Sequence, residues 1–175
     1  MRKLPELPEK ERTIFKIEIE PEIPQFQEVE KEYVDVRYAL LAPYAYAHIY
    51  WDDNSKELIY YVEEPELTTD ERRVLNLLEE GIKELINISY LQLKKGETII
   101  QYLEKNLKVM LNELRITLTK DSYLKIMYYI YRDFVGLGEI EPFMNDYFVE
   151  DIECNGTGYP IYIVHRKYRN LKTNI

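Results

Sequence analysis

The stretch from Tyr33 to Val62 has the period of β structure. Tyr44, Tyr46, His48 and Tyr50 share one face of a strand with this period, and Ala45, Ala47, Ile49 and Trp51 share the other. Asp52-Asp53-Asn54-Ser55-Lys56 is turn chemistry, because short polar side chains bond their own backbone. The run from Glu57 to Val62 is then the return strand of a β-hairpin, which Pro65 closes.

Beyond Pro65 the apolar spacing lengthens to the helical period. Thr68 or Thr69 can cap a first helix, and Glu71, three residues after Thr68, completes a capping box. Leu75, Leu78, Ile82, Leu85 and Ile86 form its apolar stripe. Gly96 precedes a second helix with Ile100, Leu103, Leu107, Met110, Leu111 and Leu114 on one face. Thr119 or Asp121 starts a third, with Leu124, Met127, Tyr128, Tyr131, Phe134 and Val135 inward. Short links make neighbouring helices antiparallel, which predicts a small three-helix bundle.

After Gly138 the period changes again. Phe148 to Glu153, Ile161 to His165 and Tyr168 to Thr173 read as strands, separated by turns at 155–158 and 166–169. The second of these strands is apolar enough to lie inside a sheet. Gly136 suits a left-handed helix cap, and Pro142 suits the first turn of a short helix. The start of the chain differs from all of this. Pro5, Pro8, Pro21 and Pro24 stand among many Glu and Lys, the composition of a flexible or extended arm. Within it Phe15 to Ile19 alternates and suits an edge strand. The fold class is therefore α+β. An arm spans 1–32, a hairpin with three helices spans 33–136, and the start of a second α/β module spans 137–175.

Composition narrows the function classes. The chain has 175 residues, 46% hydrophobic and 31% charged, enough for a packed core. Its formal net charge of −9 disfavours sequence-independent binding to nucleic acid or to an anionic membrane surface. The same charge permits a basic partner, such as the Lys/Arg-rich cytoplasmic loops of an integral membrane protein, and it is also what an acidic surface that simply keeps a protein soluble would give. Cys154 is the single cysteine, so no internal disulfide framework forms, and its acidic neighbours disfavour a reactive thiolate. Its expected place is as a small buried residue. None of the six glycines is followed by Lys, so the Gly-x4-Gly-Lys-Ser/Thr loop of a P-loop ATPase is absent. His48 and His165 lie in different strands without a ligand set around either, so no metal site is expected. The local charge cluster of interest is Arg166, Lys167, Arg169 and Lys172, next to His165. It reads either as a solvated hairpin turn or as a candidate interface with a neighbouring subunit or a nucleotide phosphate.

The joint pattern of Gly136, Gly138, Glu141, Pro142, Asp146, Glu150, Asp151, Ile152, Gly156, Val164 and His165 resembles the N-terminal region of type II/IV secretion ATPases. The likeness is greatest to the archaeal members, which power pilus and archaellum assembly and secretion. The segment from Pro43 to Thr69 is similar to the same family: an aromatic hairpin, a Glu-Pro, then a Thr-led helix. The resemblance implies that 137–175 open a truncated PAS-like module, and that the chain is a non-catalytic N-terminal portion of a cytoplasmic, hexameric motor. The implied partners are a polytopic membrane platform protein, the motor's own C-terminal ATPase domain and neighbouring subunits. ATP and Mg would belong to the implied parent, and this portion would hold no cofactor. The alternative is a stand-alone adaptor that binds such a machine.

Overall fold

A computed structural model of the chain describes residues 13–19, 23–89 and 99–175, with side chains outside 84–89. Gly96, the first twelve residues of the arm, Pro21, and the side chains of Leu85 and Ile86 lie outside that description. The element order is β1 (Asp35–Leu41), β2 (Ala45–Asp52), β3 (Glu57–Glu63), α1 (Thr69–Ser89), α2 (Ile99–Glu113) and α3 (Lys120–Phe134). A 3-10 turn (Gly138–Ile140), α4 (Glu141–Met144), β4 (Val149–Glu153), β5 (Tyr162–His165) and β6 (Arg169–Thr173) follow. The fold is α+β, as the patterning predicts.

All six strands form one sheet, ordered β1-β2-β3-β6-β5-β4. Neighbours are antiparallel except β3 and β6, which run parallel with Ile59 opposite Lys172 and Tyr60 opposite Thr173. Strands from before and after the helices thus join edge to edge, across the boundary read at 136/137. The predicted hairpin is a three-stranded meander, because β1 pairs along β2 with Val36 opposite Ile49. Tyr44 lies outside the strand face assigned to it. It sits in the turn before β2 and stacks on Phe15 (5.2 Å) and Tyr128 (5.4 Å).

The sheet curls strongly. β1 and β5 stand four strand spacings apart, about 19 Å in a flat sheet. Even so, the Tyr38 hydroxyl of β1 is 3.3 Å from His165 Nε2 of β5. Leu40, Ala45, Ala47, Ile49, Tyr60, Val62, Ile163 and Leu171 join helix residues in one core cluster.

The predicted capping box is present: Thr68 N–H donates to Glu71 Oε2 (2.8 Å) and Glu71 N–H donates to Thr68 Oγ1 (3.2 Å). Thr119 caps α3, its hydroxyl accepting from the Ser122 N–H. α1 packs on both α2 and α3. In α2, Leu103, Leu107 and Leu111 are buried, whereas Leu114 is exposed because the helix ends before it. α3 departs from the one-face expectation. Tyr123, Ile126, Met127, Tyr128, Ile130 and Tyr131 are all buried, while Leu124, Phe134 and Val135 are half-buried. Packing on more than one side broadens the buried face of this helix beyond an amphipathic stripe.

The arm docks where it is described. Phe15 is buried, and Glu18 bridges Ala42 of the β1–β2 turn. Cys154 is exposed, contrary to the buried place expected for it. It follows the edge strand β4 into a glycine turn that no layer covers. No helix among the described residues is long and apolar enough to cross a membrane.

Candidate functional site

The segment from Gly136 to Phe148 carries the densest polar chemistry. Its shape comes from its glycines and proline. A Cβ on Gly136 would stand 2.7 Å from the Glu141 side chain and 2.8 Å from the Arg132 carbonyl. Gly136 is therefore needed for close approach. The left-handed backbone expected there falls instead at Gly138, with φ +67°. Glu141 Oε2 accepts the Leu137 N–H (2.8 Å), and its other oxygen accepts from Asn145 (2.8 Å). Pro142 occupies the first turn of α4, where no N–H is required of it.

This turn delivers Asp146 into a buried network. Asp146 Oδ2 accepts the hydroxyls of Tyr38 (2.7 Å) and Tyr60 (2.6 Å). Asp146 Oδ1 accepts the Phe148 N–H (2.8 Å). His165, fully buried, accepts the Lys167 and Tyr168 N–H groups at Nδ1, each 3.2 Å away. Its proton therefore sits on Nε2 and points at the Tyr38 oxygen. Burial lowers the His165 pKa to about 4; the Asp146 carboxylate opposes that shift and Lys167 adds to it. Burial, and after it the Asp146 carboxylate, raises the Tyr38 and Tyr60 hydroxyls well above the usual phenol range. At neutral pH the network is one carboxylate surrounded by neutral donors. Phe26 of the arm, Phe148 and Tyr168 wall the imidazole at 5.7, 5.4 and 5.1 Å between ring centroids.

A second cluster lies at the end of β3. Arg132 Nη1 donates to both Glu64 oxygens at 2.9 Å, and Arg132 Nε donates to Asp133 Oδ1 at 2.7 Å. Tyr128 donates to Glu64 Oε1 (2.6 Å), and Tyr129 donates to the Pro65 carbonyl (2.7 Å). Burial lowers the Arg132 pKa, but its two carboxylates outweigh burial and hold the guanidinium charged. A third buried group, Glu104 of α2, accepts the Ile14 and Phe15 N–H groups at 3.1 and 2.8 Å and so holds the arm.

The four cations of the predicted basic cluster have different surroundings. Arg166 lies 3.4 Å from Glu150 and 4.5 Å above the Tyr147 ring. Lys167 Nζ donates to the Gln27 carbonyl (2.7 Å). Arg169 takes a positive φ of 65° as the first residue of β6, opposite His165, and Lys172 lies within β6 opposite Ile59. Two of the four cations are thus engaged inside the molecule. Reasoning from sequence grouped Asp146 with His165 only through the resemblance. It missed Tyr38, Tyr60, Glu64, Glu104 and Arg132. The one available signal was an Arg or Glu standing where a helical stripe calls for an apolar residue.

A surface groove of about 460 Å³ opens over the network, with Tyr38, Asp146, Met144, Tyr147 and Phe148 in its wall. Among the described residues, no group of three or more His, Cys, Asp and Glu side chains is placed to hold a metal ion.

No protein-family model matches the chain. Over 125 residues, 71% of its length, it is 34% identical to the uncharacterized protein MJ1288 of Methanocaldococcus jannaschii. That match covers 49% of the relative, so the chain spans about half the length of the archaeal protein it is similar to.

Proposed function

We propose that this chain is a non-catalytic N-terminal module of a secretion or pilus-assembly ATPase. It mediates docking to the membrane platform and the subunit or inter-domain contacts of the hexameric motor. The observation that carries this reading is the fate of the residues behind the resemblance. Gly136, Glu141, Pro142, Asp146 and His165 serve close approach, a helix start and a buried network whose hydrogen bonds stay inside the molecule. Such residues build a scaffold, and Asp146 also stands in the wall of the surface groove. The archaeal relative is in keeping with the archaeal character of the resemblance.

On this reading the module is cytoplasmic and reaches the inner face of the membrane through its platform partner. ATP and Mg are bound by the parent's catalytic domain. The purified chain should show no steady ATP turnover. It should bind the platform's basic cytoplasmic loops, and more weakly as salt rises, since exposed charges are screened beyond roughly 8–10 Å at physiological ionic strength. Sustained ATP hydrolysis by the chain, or no binding at low salt with both partners folded, would sink the proposal.

A further inference from the structure

Met144 and Tyr147 are large apolar side chains that remain 56% and 58% exposed. Met144 ends α4, and Tyr147 follows it three residues on. Met144 is the shared wall of two grooves. One, of about 460 Å³, runs toward Ile23, Tyr38, Leu40 and Phe148. The other, of about 320 Å³, runs past Phe143, Val149 and Ile152 and is lined as well by Asp146, Glu150 and Asp151. A ridge between two grooves, one mainly apolar and one mixed apolar and acidic, is the complement of a helix face that presents apolar and basic rows of side chains.

The rim is acidic. Glu150 and Asp151 are exposed in the wall of the second groove, and Arg166 is paired with Glu150 and stacked on Tyr147. Three occupants can be weighed. A second copy of the chain would bring the same carboxylates against this rim, and like charges there oppose it. A partner strand added to β4 meets a blunted edge, because Asp151 Oδ1 accepts the Ile152 N–H at 2.9 Å. A helix needs no edge hydrogen bonds. Its apolar face can fill the grooves around the adaptable thioether of Met144, while Lys or Arg on its flanks meets the carboxylates.

We infer that the Met144–Tyr147 ridge and its flanking grooves are the docking surface for a basic amphipathic helix of a partner protein. The inference rests on the docking role proposed above and gives it a location and a partner chemistry.

The test titrates the full chain with a short Leu/Lys amphipathic helical peptide and with its Leu/Glu counterpart, followed by amide chemical-shift mapping. The Lys peptide should perturb residues between Met144 and Ile152, and the Glu peptide should not. Met144→Glu should weaken binding about tenfold or more, as loss of a central anchor does. Asp151→Asn keeps an acceptor for the Ile152 N–H, removes the charge, and should make binding less sensitive to salt. Thermal midpoints of both variants should match the parent chain. Equal binding of both peptides, perturbations centred elsewhere, or unchanged affinity of Met144→Glu would overturn the inference. The platform's loops separate the two claims. Loops that bind but perturb other residues overturn this surface and leave the docking role standing. A Lys peptide seated here, with loops that never bind, supports the surface and overturns the role.

Discussion

Around Asp146 a single carboxylate is surrounded by neutral donors; around Arg132 a single cation is held between two carboxylates. Both clusters join residues distant in sequence. Tyr38 and Asp146 are 108 residues apart, and Glu64 and Arg132 are 68 apart. Their burial differs. His165 and Tyr60 are fully buried, whereas the Asp133 side chain is 27% exposed. The Asp146 network can form only when the sheet curls enough to bring β1 against β5. The Arg132 cluster needs only α3 to lie beside the end of β3. One holds the seam of the sheet and the other fixes a helix to a strand end.

The largest expected effect tests the seam. Asp146→Ala leaves the hydroxyls of Tyr38 and Tyr60 and the Phe148 N–H without their acceptor, at a cost of about 4 kcal/mol by denaturant titration. A cost below about 1 kcal/mol would mean that the curl is set by apolar packing alone. Next, Arg132→Leu should cost about 3 kcal/mol, because it strands two carboxylates in a poorly solvated site. Adding Glu64→Gln should recover part of that loss. A double variant no better than the single would break the comparison, since the guanidinium would then matter by packing rather than by charge.

The third effect separates the clusters by pH. His165 takes up a proton near the usual pKa of 6.5 when unfolded but only near about 4 when folded. Between those values the unfolded state binds more protons, so this stability contribution is full above pH 6.5 and is lost as pH falls toward 4. The loss amounts to about 3 kcal/mol. His165→Gln should flatten that part of the stability profile. Equal slopes for the parent chain and His165→Gln would show that the imidazole does not carry the acid sensitivity. The smallest effect is at the surface. Arg166→Ala removes an exposed pair with Glu150 and should change stability by less than about 0.5 kcal/mol. A larger loss would mean that the stacking of Arg166 on Tyr147 also fastens the sheet seam.

Much of the fold was legible because its signals are local. The turn at 52–56 is built by Asp52 accepting from Asn54 and Ser55, two and three residues away. The Thr68–Glu71 box spans three residues, and Gly156 and Gly158 take the positive φ that their turn requires. Leu75, Leu78, Leu103 and Leu107 announced their burial by helical spacing. The candidate site was far less legible. A tyrosine in an alternating strand carries no mark of the carboxylate its hydroxyl will reach. Arg132 and Glu104 are buried charges whose partners lie in segments that the chain order separates by 68 and 89 residues.

By itself, then, the sequence determined the α+β class, the turn at 52–56, the Thr68–Glu71 cap and the buried stripes of α1 and α2. Those choices depend on dihedral preference, capping and spacing over a few residues. Only the tertiary structure decided that β6 would join β3 in parallel, so that the predicted second module extends the first sheet. Only it placed Tyr38, Tyr60, Asp146 and His165 in one network, left Cys154 on an uncovered edge and buried seven of the fifteen residues of α3. Donors and acceptors are interchangeable along a chain. Which of them meet depends on the curl of the sheet, a property of all six strands together.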